Sequence, residues 1–192
     1  MTFDPVSHEY HDGTDKVRSV TTILRDAGLI DTRWFSAEAC ERGSAVHTFC
    51  QMFARGERFD AIGRGLSTLE YVNSLARWFT EKKVYAIATE QLITGEINRR
   101  KYAGMFDLLA EIDGKRWLVD YKTGTGQGWH KAQIAAYALG SIEGEPVDPY
   151  GCMMLYLKPD GSYRSTIVRG YDLLDGLSDF SDAIMFNPAQ SL

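Results

Sequence analysis

The chain has 192 residues, of which 44% are hydrophobic and 24% charged, enough apolar surface to bury a core without disulfide or metal staples. No apolar run approaches the roughly 20 residues that span a bilayer. The opening MTFDPVSHEYHDG also lacks the basic-then-apolar pattern of a secretory signal, so a cytoplasmic chain with no membrane partner is expected. Cys40, Cys50 and Cys152 are too few and too scattered for a zinc or iron–sulfur cluster held by cysteine.

The net charge of −5 speaks only mildly against a nucleic-acid partner, because most of it sits in one place. From Tyr171 onward the chain carries Asp172, Asp175, Asp179 and Asp182 and no Lys or Arg. Basic residues gather instead at Arg55, Arg58 and Arg64, at Lys82-Lys83, and at Arg99-Arg100-Lys101. With no repeat or linker in view, one domain over 1–192 is expected: an N-terminal hairpin and short helix (1–35), a core (36–170) and an acidic C-terminal helix (171–192).

In chain order, residues 3–11 read as a strand closed by Asp12-Gly13, with a second extended piece leading to Ser19. Ser19 can cap a short helix over 20–27 that Gly28 ends. A longer helix over 36–54 spaces Ala39, Val46, Phe49, Cys50 and Phe53 on one stripe. His47 borders that stripe, and by position alone it reads as a core histidine. After a loop over 55–65, Ser67 and Glu70 fit a capping box for a helix over 68–82. Residues 84–93 have strand composition, and Glu90 among their apolar neighbours needs a partner, a cation or an exposed face.

The central stretch runs from Tyr102 to Tyr137. Strands over 101–112 and 115–122 flank Asp113-Gly114, the strongest short-range signal for a two-residue hairpin loop. That loop pairs Ile112 with Lys115, Glu111 with Arg116, Leu109 with Leu118 and Leu108 with Val119. Extended further, the register sets Phe106 against Tyr121 and Asp107 against Asp120. Directly opposed carboxylates destabilise a sheet unless a cation lies between them, and Lys122 leaves the same face as Asp120. Carboxylates for a hard cation, with a lysine to act on water, are parts of a phosphodiester-hydrolysing site. Asp113-Gly114-Lys115 has the same Asp-x-Lys pattern, but in a turn.

The glycine-rich 123–128 lacks the Gly-Lys-Ser/Thr ending of a P-loop, so no nucleotide cofactor is expected. A helix over 130–139 puts Gln133 and Tyr137 on one face, where packing and function are equally open. A second hairpin over 150–157 and 163–169 surrounds Lys158-Pro159-Asp160-Gly161, and a helix over 171–186 closes the chain.

Gly104-Met105-Phe106-Asp107, Asp120-Tyr121-Lys122, Gln133-Ile134-Ala135-Ala136-Tyr137 and the Arg42-Gly43-Ser44-Ala45-Val46-His47 segment together resemble the PD-(D/E)XK nuclease superfamily. The likeness is to its RecB-type domains and phage-type exonucleases. The resemblance implies an α/β fold, a central mixed sheet flanked by helices with a core of order αβββαβ. It implies that His47, Glu90, Asp107, Asp120 and the carbonyl of Tyr121 bind one or two Mg²⁺ or Mn²⁺ ions, and it reverses the core reading of His47. Asp107, Asp120, Lys122, Gln133 and Tyr137 would be the catalytic set, and Arg42, Gly104, Thr123 and Lys131 would meet DNA. The implied activity is a DNA exonuclease leaving 5′-phosphates, in recombination, repair or phage DNA processing within a bacterial or phage-infected cell. A single-strand annealing protein or further copies of the chain are the implied partners. A structure-specific or restriction-type endonuclease, or a non-catalytic binding relic of the fold, are the alternatives.

Overall fold

Tight turns at which two successive residues take positive φ set the registers of the sheet. Asp113 and Gly114 (φ 52° and 69°) join β5 (Arg100–Ile112) to β6 (Lys115–Lys122). Asn98 and Arg99 (φ 50° and 63°) join β4 (Tyr85–Ile97) to β5, the geometry that matches the twist of paired strands. The structure is a computed structural model that describes residues 1–5, 7–32, 36–57 and 66–186. Arg58, Arg64, most of the 55–65 loop and the side chain of Ser67, with its capping box, lie outside the described residues.

The N-terminal strands are β1 (Thr2–Asp4), β2 (Glu9–Asp12) and β3 (Asp15–Ser19), each antiparallel to the next. The single strand expected over 3–11 is thus broken in two. Pro5 lacks an N–H for a ladder, and His8 turns the chain at φ 54°. Ser19 then caps α1 (Val20–Asp26), its hydroxyl accepting from the Thr22 N–H, and Gly28 follows at φ 76°. Ser36 caps α2 (Ala37–Ala54), which buries Val46, Phe49 and Cys50, and α3 (Leu66–Lys82) follows.

After β4, β5 and β6 come α4 (Trp129–Leu139), a short hairpin of β7 (Ser141–Ile142) and β8 (Glu145–Pro146), β9 (Gly151–Leu157), β10 (Tyr163–Val168) and α5 (Tyr171–Met185). The order therefore differs from the expected αβββαβ core, because β7 and β8 intervene before β9 reaches β6. Two-residue strands are too short to leave a periodic pattern. β4 also runs four residues past its expected end at Ile93. Its Gly95 interrupts the strand composition because a Cβ there would sit 2.3 Å from the Tyr102 ring.

The sheet is mixed: β3 runs parallel to β5 and β9 parallel to β6, and the remaining pairs are antiparallel. One core joins it to α1, α4 and α5 through Val20, Ile23, Leu118, Ile134 and Phe180. The other joins it to α2 and α3 through Val46, Leu75, Trp78, Leu108 and Val119. The central mixed sheet is thus flanked by helices on both faces.

Candidate functional site

β5 has two edges, and one is occupied along its length by β4. The other is shared, with β3 pairing Tyr102 and Ala103 and β6 pairing Leu108 to Ile112. Residues 104–107 are left without a strand on that edge, and Asp107 lies in the gap. The β5–β6 register follows the turn as expected through Leu108 and Val119 but stops there, so neither Asp107 with Asp120 nor Phe106 with Tyr121 is a ladder pair. Instead the Tyr121 N–H donates to Asp107 Oδ2 at 2.5 Å.

The carboxylate opposed to Asp107 comes from the other neighbour. Thr89 pairs with Leu108 and Gln91 with Phe106, which sets Glu90 opposite Asp107, yet this one rung is missing. Glu90 has φ 49°, a left-handed conformation costing on the order of 1–3 kcal/mol in a non-glycine residue. Side-chain alternation slips at the same level: Phe106 packs in the core with α1 and α4, Leu108 in the core with α2 and α3. From α2, His47 Nδ1 comes within 3.0 Å of Asp107 Oδ1. One ligand atom each from His47, Glu90 and Asp107 lies within 4.8 Å of the others. An imidazole and two carboxylates so gathered are donors suited to a divalent ion such as Mg²⁺ or Mn²⁺.

The charges are arranged around burial. Burial pushes the Asp107 carboxyl up, but the His47 charge and hydrogen bond, Lys122 and the Tyr121 N–H outweigh it and hold Asp107 below the usual range. Burial lowers His47, and Asp107 more than reverses this, to about 9. Glu90 is raised to about 7 by burial and by the Asp107 charge, with His47 opposing. Asp120 is raised by burial and Asp107 against the pull of Lys122.

Asp120 lies outside the cluster of three and turns to Lys122, whose Nζ is 2.5 Å from its Oδ2. Lys122 is the partner that Oδ2 has among the described residues. Lys122 donates to Gln133 Oε1 at 2.8 Å, and Gln133 Nε2 donates to the Tyr137 hydroxyl at 3.1 Å. The four-residue spacing on α4 thus makes one hydrogen-bonded line from Tyr137 to Lys122, beside Asp120.

Gly104 makes room for the end of that line. A Cβ there would lie 2.6 Å from Tyr137 Cε1 and 3.4 Å from Val20 Cγ2, and the Tyr137 ring is buried. Gly104→Ala is expected to cost about 1–3 kcal/mol of stability through overpacking, read by denaturant unfolding.

Arg42 and Thr123 line a cavity of about 400 Å³ with Lys122, Trp129 and His130, and the Arg42 Nε is buried without a hydrogen-bond partner among the described residues. Lys131 pairs with Asp172 of α5 and does not line this cavity. Trp129 and His130 were not singled out in the sequence, although two aromatic rings directly after a glycine-rich loop were a usable signal. Lys122 Nζ stands 5.4 Å over the Trp129 ring, and burial with the Lys122 charge lowers His130 to about 3. Tyr10 was missed as well; burial and the Glu90 charge raise its phenol to about 12.

No protein-family model and no curated protein matches the chain. Its fold is similar to the crystal structure of a candidate exonuclease from Eubacterium rectale, at 16% identity over 92% of this chain and 82% of that one, with a TM-score of 0.61. SSO0001 (17% identity, 88% and 77% of the two chains, TM-score 0.42) and LHK-Exo in complex with dAMP (14%, 88% and 86%, 0.38) overlay too loosely to add to this. The chain thus shares the fold of that candidate exonuclease, with its mixed sheet parted at Asp107 and a histidine and two carboxylates gathered at the parting.

Proposed function

We propose that the protein is a Mg²⁺- or Mn²⁺-dependent DNA exonuclease that leaves 5′-phosphates. The observation that carries this reading is Lys122, fixed by Gln133 and Asp120 next to the cluster of His47, Glu90 and Asp107. His47, Glu90 and Asp107 would hold the ion, with Asp120 and the Tyr121 carbonyl completing its surroundings. A bound divalent ion supplies Lewis-acid polarisation of the phosphate and a more acidic water. Lys122 orients the attacking water and offsets charge growing on the phosphate oxygens. The water oxygen bonds to phosphorus, the P–O3′ bond breaks, the 3′ oxygen takes a proton, and the phosphate stays on the 5′ carbon. Arg42 and Thr123, which line the cavity beside Lys122, would meet the DNA backbone.

Linear and covalently closed circular DNA, incubated with the protein and Mg²⁺ or with EDTA, test the reading. Linear DNA should be degraded to products with 5′-phosphates only in Mg²⁺, while the circle survives. Cleavage of the circle would make the protein an endonuclease, and survival of both would remove the activity altogether.

A further inference from the structure

A second and larger cavity, about 890 Å³, opens between the N-terminal strands and α2, and hydrolysis as described uses only His47 and Glu90 of its lining. His47 and Glu90 line it, so whatever fills it lies against the metal cluster. Its far wall is aromatic. Phe3 and Tyr10 have ring centroids 4.9 Å apart, and His8 meets Phe3 at 6.0 Å. Phe3 is half-buried with Tyr10 behind it, while His8 is exposed, held out by a backbone at φ 54°. Thr22, Ser44 and Thr48 contribute to the lining, and no Lys or Arg is among the described lining residues.

The chemistry differs from that of the smaller cavity, where Arg42 and Lys122 suit phosphate. Flat rings and hydroxyl groups suit a nucleobase, which stacks on an aromatic face and offers its edge to hydrogen bonds. The volume lies in the range of about 300–1,000 Å³ that holds small ligands. A base inside a duplex has both faces stacked and its pairing edge engaged, so it must leave the helix to enter such a pocket.

We propose that this cavity receives an unpaired nucleotide whose base stacks on one of the Phe3 and His8 rings and meets the other edge-on, the two rings standing at 63°, so that the strand presented to the metal cluster is single-stranded DNA. The proposal rests on the nuclease reading above and names its substrate class. The N-terminal strands are then a device for gripping a single strand, set beside the cluster by the pairing of β3 with β5.

The test is a binding measurement in the Lys122→Ala background, once its melting shows that it is folded, because its DNA hydrolysis is expected to be about a thousandfold slower. Fluorescent oligothymidylate, the same oligomer with abasic residues, and a blunt hairpin duplex are titrated in Mg²⁺ against the parent and against Phe3→Leu with His8→Gly. Phe3→Leu keeps the apolar bulk, and His8→Gly suits the backbone while removing an exposed ring, so His8→Gly alone carries the test if the pair fails to fold. The dissociation constant for oligothymidylate should rise roughly tenfold or more in the double variant. The abasic oligomer should bind parent and variant alike, and weakly, with duplex binding unchanged. An oligothymidylate constant within about twofold of the parent, parent binding of the abasic oligomer as tight as of oligothymidylate, or a duplex constant rising in step with the single-strand constant would overturn the proposal. Failure of the unsubstituted protein to degrade any DNA in Mg²⁺ would remove the nuclease reading as well; degradation with unaltered variant binding removes this inference alone.

Discussion

Lys122→Ala is expected to lower the rate of metal-dependent DNA hydrolysis by about a thousandfold or more, with metal binding retained. The size follows from where the ammonium sits. It is nearly buried (14% exposed) against Asp120 and donates to Gln133, so its charge acts where water screens little. Its removal also leaves a buried carboxylate unpaired, and losing one partner of a buried pair costs about 3–5 kcal/mol. Loss of activity could therefore be loss of fold, and two controls separate them. Melting of the variant with and without Mg²⁺ should still show an upward shift, because His47, Glu90 and Asp107 are untouched. Gln133→Ala, which frees Lys122 without deleting its charge, should cost only about tenfold. Full activity in folded Lys122→Ala would sink the assignment of Lys122.

Much of this site was legible because short-range chemistry fixed it. Asp113-Gly114 announced its turn, and the register it implied holds for five successive pairs. Gln133 and Tyr137 declared a shared face by spacing alone, although not that Lys122 would close the line. The register misled where it was carried one step too far. β6 diverges beyond Val119, and a ladder rule has no knowledge of a backbone N–H that prefers a carboxylate. The true opposition of Glu90 and Asp107 was hidden by the neighbouring turn. Asn98-Arg99 lacks glycine, and arginine is uncommon at positive φ, so nothing marked a two-residue loop there. Had it been read, Glu90 would have fallen opposite Asp107 by the same rule that succeeded next door. His47 meets Asp107 across sixty positions of sequence, a contact set by how α2 packs on the sheet, which no local pattern encodes.

Metal removal should destabilise the protein more at alkaline than at acid pH. In the metal-free protein His47 titrates at about 9, above the ordinary 6.5. A raised histidine contributes stability that is fully present below 6.5 and is lost as the pH climbs through 9. Glu90 titrates at about 7 against an ordinary 4.5. Its ionisation favours the unfolded chain as the pH rises from 4.5 to 7, so both groups weaken the metal-free fold in the same direction. Ligation requires His47 neutral and Glu90 ionised. Binding therefore releases about two protons below pH 7, about one between 7 and 9, and none above. Mg²⁺ affinity should accordingly climb up to about 100-fold per pH unit below 7 and about tenfold per unit from 7 to 9, then level off. Calorimetric titrations in buffers of different ionisation enthalpy count the protons directly. His47→Asn should abolish the His47 proton release and move the Glu90 segment to higher pH, because the charge that opposed the rise of its carboxyl is gone. An affinity flat from pH 6 to 9 would mean that the ion does not displace the His47 proton, and the cluster would then be an ion pair rather than a metal site.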